Sequence, residues 1–327
     1  MNHCRFGSTS IVTGFFAMLT MMFIASANAQ DRNRGTTTLP RFHRIDARTV
    51  AGMQELFHAT QQPLPFVSAH RGGPQKDFPE NCIATFENTL VHTFAILEID
   101  PRYAGDGTIV VHHDSTLDRT TTGNGAIAKF SLPALKQLRL KDTQGNVTEY
   151  QIPTLDEVLE WAKGKTIVVL DQKDVPTTER VQKITQYNAE AYAMLIVNSF
   201  KDATTCYALN PNIMMEVMIP SLDKAKQFDK LGIPWRNVVA FVGHTPPDEK
   251  ELYEFIHAKG ACCMVGSSRN IDRNWIEGKV SDMKLLESDY QKIIERGADI
   301  IETDIPTQLG PMLYKFLDLN KQFMTAP

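Results

Sequence analysis

From Phe66 onward, short uninterrupted apolar runs alternate with amphipathic stretches, and this rhythm constrains the fold more than any other feature of the chain. The runs are residues 66–70, 95–100, 108–113, 166–171, 193–199, 213–219, 238–242, 261–265 and 299–303. They are apolar throughout rather than alternating, as strands buried on both faces of a parallel sheet must be. Between them, stretches such as 248–258 and 288–296 carry apolar residues at helical spacing and stop at Gly260 and Gly297, where the left-handed residue that closes a helix favours glycine. Strand followed by helix, repeated over about 250 residues, predicts an α/β fold: a TIM (β/α)8 barrel with a small insertion after the second strand. The alternative is an open doubly wound sheet. The insertion is inferred from residues 108–113, which follow the second run after only the turn Ala104-Gly105-Asp106-Gly107, and from the irregular segment 120–165. Near its end, Thr154-Leu155-Asp156-Glu157 has the spacing of a capping box and predicts a helix running toward Trp161.

Residues 1–29 follow a different pattern. Arg5 is their only Lys, Arg, Asp or Glu, an apolar run spans 11–25, and Ala27-Asn28-Ala29 has the small-residue spacing of a cleavage site. The run is short for a bilayer span. The organisation expected is a signal peptide at 1–29, an N-terminal extension at 30–64 and one barrel domain at 65–327. The expected location is periplasmic or secreted, with no stable membrane anchor after cleavage. With 34 basic against 38 acidic residues and no long basic run, nucleic acid and anionic membrane surfaces are excluded as expected partners. Beyond the leader, Cys82, Cys206, Cys262 and Cys263 show no C-x-x-C spacing and read as mostly structural.

In a barrel of this kind reactive groups collect at the C-terminal ends of strands. Those ends read Ser68-Ala69-His70-Arg71-Gly72, Leu97-Glu98-Ile99-Asp100 and Leu170-Asp171-Gln172-Lys173, with His112-His113-Asp114 ending the inserted run. Glu98 and Asp100 are two apart, so both face one side of a strand. Joined by Asp171 they form a hard oxygen set suited to Ca²⁺ or Mg²⁺; without an ion, they would be a solvated strand end paired with a lysine. Three carboxylates, a divalent cation, Arg71 and Lys173 leave one positive charge, the complement of a phosphodiester. Histidines near such a phosphate would divide acid and base duties close to neutral pH. Alternation puts His112 and His113 on opposite faces, so one of them serves, and spacing leaves open which.

The motifs HRGGPQKDFPENCIATFENTL, LEID, VVHHDSTLDRTTTGNG, IPTLDEVL, DQK and GADIIETDIP, in this order and at these intervals, resemble those of the glycerophosphodiester phosphodiesterase family. The resemblance runs from about Phe66 to Pro306. It implies a TIM barrel that hydrolyses glycerophosphodiesters to an alcohol and glycerol 3-phosphate with a divalent metal. It further implies that His70 and His113 are the acid–base pair, because the family's second histidine directly precedes an aspartate. Glu98, Asp100 and Asp171 would hold the metal, Arg71 would contact phosphate, Glu80 and Asn81 would support or contact the anion, and Lys173 would stand near it. His112 would then pack or hydrogen-bond at the rim. Cys82 stands where threonine commonly follows PEN, Asp171 replaces a common glutamate, and CCMVGSSRN replaces a tryptophan-containing strand end. These departures bear on substrate identity more than on reaction type. Two other readings compete: a phospholipase-D-like sphingomyelinase on a related barrel, and a non-catalytic exported binding protein on the same barrel.

Overall fold

The computed structural model describes residues 41–59, 66–315 and 322–327; the expected signal peptide lies outside them. Eight parallel strands close into a barrel, each hydrogen-bonded to the next in chain order. They are β1 Phe66–Ala69, β2 Ile96–Ile99, β3 Val168–Leu170, β4 Ala193–Val197, β5 Met214–Met218, β6 Val238–Gly243, β7 Cys262–Gly266 and β8 Ile300–Thr303. A helix follows every strand, from Ile83–His92 after β1 to Pro306–Tyr314 after β8. The expected barrel is therefore the observed fold; six strands are one to three residues shorter than the apolar runs, while β6 and β7 each run one residue further at the C-terminal end.

The continuous apolarity of the runs reflects burial on both faces. Outward residues such as Val67, Leu97, Leu170, Val217 and Val265 pack under the helices in one large core. Inward residues form a second core at the N-terminal end of the barrel, with Phe66, Ile96, Met194, Met214 and Ile300 among them. Ile45, Met53, Phe57, Phe323 and Met324 belong to this second core. The described part of the expected N-terminal extension thus plugs the barrel base. Arg44–Ile45 pairs with Met324–Thr325, and Thr49 caps the helix Val50–Leu56 by accepting the Gly52 N–H.

Two residues further along the same strands, the interior changes character. Ser68, Glu98, Glu216 and Glu302 all face inward and are buried, one step of the period-two alternation above the apolar layer. After β2 the chain makes the expected excursion: Pro101–Tyr103 and Ile109–Val111 form an antiparallel hairpin outside the barrel sheet. Its small core, including Val110, Leu117, Ile127, Leu140 and Ile152, anchors the segment carrying the two adjacent histidines. The Thr154 capping box is formed as expected and starts the helix Leu155–Ala162. All four described cysteines are buried and unbridged. No described helix is long and apolar enough to cross a membrane.

Candidate active site

At the C-terminal mouth, a cavity of about 560 Å³ is lined by His70, Arg71, Glu98, His113, Asp171 and Lys173, among others. This is within the range of small-molecule sites, roughly 300–1,000 Å³. Six of the nine residues singled out from sequence thus meet on one wall. Asp100 lies just behind it, almost fully buried. Glu80 and Asn81 do not line the cavity: each is committed to a neighbouring side chain.

The loop after β1 shapes the site through its backbone. Arg71, Gly72 and Gly73 all have positive φ, at 52°, 84° and 83°. A Cβ on Gly72 would stand 2.3 Å from the Phe86 ring, so the strained turn requires glycine there. The turn aims the Arg71 N–H at Glu98, donating to its Oε2 at 2.8 Å. The Arg71 carbonyl accepts the Asn81 N–H, and Asn81 grips Asp100 twice: its amide donates to Oδ2 at 2.6 Å while its Oδ1 accepts the Asp100 N–H. The two sequence motifs HRGG and PEN thereby fix the carboxylates of a third, LEID.

Glu98, Asp100 and Asp171 each offer an oxygen within 4.8 Å of the others. Burial first, and then the charge of Asp100, push the Glu98 carboxyl well above its ordinary range. Asp100 is held below its range despite burial, through Lys173, His113 and the Asn81 amide. The Lys173 ammonium stands 3.0 Å from Asp100 and also pairs with Asp171. A positive charge therefore already occupies the edge of this cluster, and the oxygen-only donor set fits a hard divalent cation.

Both expected acid–base histidines are oriented by carboxylates. His70 donates from Nδ1 to Asp304 at 2.6 Å, and His113 donates from Nδ1 to Asp114 at 2.7 Å, an arrangement that leaves each Nε2 for other partners. Burial alone would lower the pKa of His70, but Asp304, Glu302 and Glu98 together raise it to about 10. Arg119 ties Asp114 to Glu80, and Glu80 also pairs with Arg71. One chain of charges thus runs from Arg71 through Glu80, Arg119 and Asp114 to His113. His112 differs: it is buried, its Nδ1 donates to the Asp114 carbonyl at 2.9 Å, and its Nε2 accepts from the Thr120 hydroxyl at 3.0 Å. Both of its ring nitrogens are used.

Other residues that shape the site drew no notice in the sequence. Asp304 ends β8 and holds His70; its own N–H donates to the buried Asp272 at 2.7 Å, which also accepts from Ser267, Thr303 and Tyr290. Arg180, fully buried, donates to the carbonyls of Leu170 and Ile196 at 2.9 Å and pins the ends of β3 and β4. Glu216 and Glu302 line the cavity from β5 and β8; burial and then the charges of Glu302 and Asp171 raise the Glu216 carboxyl well above its ordinary range, and burial with the charge of Asp304 raises that of Glu302 although His70 opposes it. A glutamate inside an apolar strand run, as in MMEVM and DIIET, was the available signal.

Carboxylates, basic groups and histidines gathered at the C-terminal rim of a parallel barrel define an enzyme of the TIM-barrel class. Residues 70–255 match the model of the glycerophosphoryl diester phosphodiesterase family. A glycerophosphodiester phosphodiesterase of Caldanaerobacter subterraneus subsp. tengcongensis is 30% identical over 266 residues, covering 76% of this chain and 98% of that protein. The crystal structure of a glycerophosphoryl diester phosphodiesterase from Parabacteroides distasonis superposes with a TM-score of 0.82 at 36% identity, over 88% of this chain and 100% of that one. A phosphodiesterase of Oleispira antarctica, solved with the product sn-glycerol-3-phosphate, shares the fold at a TM-score of 0.55 and 24% identity, over 76% of this chain and 97% of that one. The chain belongs to the glycerophosphoryl diester phosphodiesterase family, and so to the phosphoric diester hydrolases.

Proposed function

We propose that the chain hydrolyses glycerophosphodiesters to an alcohol and glycerol 3-phosphate by two-histidine acid–base catalysis at a divalent-metal site. The observation that carries this reading is the pair of carboxylate-oriented histidines, His70 on Asp304 and His113 on Asp114, facing one cavity beside three clustered carboxylates. The glycerol 3-phosphate bound to the Oleispira relative supports the product assignment.

Glu98, Asp100 and Asp171 would hold Ca²⁺ or Mg²⁺, whose chemistry is to offset charge on the phosphate oxygens and polarise the P–O bonds. Arg71 offers a planar donor fork to the phosphate and Lys173 a point charge. Glu80 and Asn81 act from behind, aiming Arg71 and Asp100. One histidine removes the proton from the attacking hydroxyl, of water or of the glycerol 2-position, and the other protonates the departing alkoxide; where the 2-hydroxyl attacks, water then opens the cyclic phosphate to glycerol 3-phosphate. Asp304 and Asp114 keep the two rings turned so that Nε2 of each serves. The apolar run at 11–25 and the Ala27-Asn28-Ala29 spacing support export to the periplasm or medium; a mature N-terminus at Gln30 is expected, and one at Met1 in the exported protein would contradict it.

The test is phosphorus NMR of the purified protein with a panel of glycerophosphodiesters and sphingomyelin. Glycerol 3-phosphate as the phosphorus-bearing product supports the reading. A ceramide phosphate, or no turnover of any diester with Ca²⁺ or Mg²⁺ present, overturns it.

A further inference from the structure

Two carboxylates of the cavity do nothing in the scheme above. Glu216 and Glu302 are 4% and 6% exposed and line the same cavity as the histidines. Neither side chain has a hydrogen bond or ion pair among the described residues, and Glu216 Oε2 is buried without a partner. Burial without a bonded partner disfavours the ionised form of both carboxyls, and within the chain only the His70 ring draws Glu302 the other way. A cation entering the cavity from outside the chain would supply the partner that Glu216 Oε2 lacks in the fold.

The surrounding wall narrows what that charge belongs to. Ile196, Met218 and Phe241 line the same cavity as Glu216, and Met218 is partly open to it and to solvent at 38% exposure. A carboxylate next to an aromatic ring and a thioether suits an alkylammonium, which combines a diffuse charge with apolar CH groups. A divalent ion asks instead for a cage of several oxygen ligands, and a neutral polyol would bring no positive charge to Glu216.

The charge of the whole mouth points the same way. Glu98, Asp100, Asp171, Glu216, Glu302 and Asp304 converge there, opposed by Lys173, His70 and an Arg71 already shared with Glu80, and by the divalent ion that Glu98, Asp100 and Asp171 would hold. The phosphodiester brings one more negative charge. Arg269 and Arg273 also line the cavity but lie exposed at its rim, where solvent and salt screen them from the floor.

Resting on the proposed phosphodiesterase activity, we infer that Glu216 and Glu302 form a cation subsite for the ammonium group of the leaving alcohol. The chain then prefers glycerophosphodiesters of amino alcohols, such as ethanolamine and choline, over those of neutral alcohols.

The experiment compares kcat/KM of the full chain, with Ca²⁺ present, on glycerophosphoethanolamine and glycerophosphocholine against glycerophosphoglycerol and glycerophosphoinositol. The expected ratio of amino-alcohol to neutral ester is at least about tenfold in the wild type, and Glu216→Gln reduces it by about tenfold or more; Glu302→Gln is the second variant. A wild-type ratio within about threefold of one, which requires no variant to fold, overturns the subsite while leaving the phosphodiesterase reading intact. So does a variant that slows every ester by one common factor. Calcium titration by calorimetry supplies the last arm: a Glu216→Gln protein binding fewer ions than wild type would assign the glutamate to a metal and overturn the inference. Failure of every ester to react would instead remove the phosphodiesterase reading itself.

Discussion

Asp304→Asn removes a charge and keeps the shape. In the structure the Asp304 carboxylate accepts from His70 Nδ1 at 2.6 Å, and both side chains are about a quarter exposed. A hydrogen bond to a charged group contributes about 1.5–3 kcal/mol, and partial exposure places this one in the lower half of that range. Asp304 keeps the His70 ring turned and helps keep it charged, and withdrawing about 1.5–2 kcal/mol of that support from the reacting complex corresponds to roughly a 10- to 30-fold loss. Because Asp304 holds His70 rather than phosphate, the loss falls on kcat and leaves KM near its wild-type value. Steady-state kinetics on one glycerophosphodiester, repeated in a His70→Ala background, is the assay. Two residues acting as a unit are not additive, so the double variant should be no slower than His70→Ala alone. An Asp304→Asn protein within twofold of wild type, or a full further loss in the double variant, would refute the reasoning.

The adjacent histidines should separate cleanly. His113→Ala lowers kcat by about 10²–10⁴-fold, whereas His112→Ala acts mainly on stability, by about 1–3 kcal/mol, because it leaves the buried Thr120 hydroxyl and Asp114 carbonyl without partners; equal kinetic losses would contradict this. Chelation should abolish turnover and Ca²⁺ or Mg²⁺ should restore it, while Asp171→Ala should bind the ion more weakly by calorimetry; full activity of metal-free protein would count against the site. Far from the mouth, His257 is paired with the buried Asp299 at 2.8 Å. Burial lowers its pKa, but Asp299 more than compensates and holds it above the ordinary 6.5. Its contribution to stability is therefore complete below about pH 6.5 and fades as pH rises through the folded-state value. The Tm deficit of His257→Gln should be larger at about pH 5.5 than at about pH 8.5, and the opposite trend would show the pair is not ionic.

How much of this was legible in the sequence depended on the kind of signal. The barrel was readable because parallel strands buried on both faces leave continuous apolar runs, and nine such runs map onto eight barrel strands and one strand of the excursion. The carboxylates Glu98, Asp100 and Asp171 were readable because they sit at strand ends, where polarity breaks an apolar run. Spacing left His112 and His113 open and only the family resemblance favoured His113; the structure adds a physical reason that no spacing carries, since Thr120, eight residues away, satisfies His112 Nε2. Asp304 and Asp272 were overlooked for a similar reason, since their value lies in contacts 234 and 32 residues away in the chain. Glu216 was overlooked because no second carboxylate follows it two residues on, as Asp100 follows Glu98. A charge inside MMEVM, or inside DIIET for Glu302, shows its conflict with burial only once the strand is known to be buried on both faces. The described part of the N-terminal extension looked irregular because its apolar residues are few, yet Ile45, Met53 and Phe57 are what close the barrel base.

The division of proton transfer between His70 and His113 is the central claim, and a change of leaving group tests it most directly. Each histidine is replaced in turn by alanine, and kcat is measured on glycerophosphocholine and on a 4-nitrophenyl ester of glycerophosphate, whose phenolate departs without protonation. The account predicts that both variants are severely impaired on the alkyl ester, while one of them, the variant lacking the proton donor, recovers most of its activity on the nitrophenyl ester. The variant lacking the base stays impaired on both. Equal recovery of the two variants, or recovery of neither, would contradict a mechanism in which these two histidines act as acid and base.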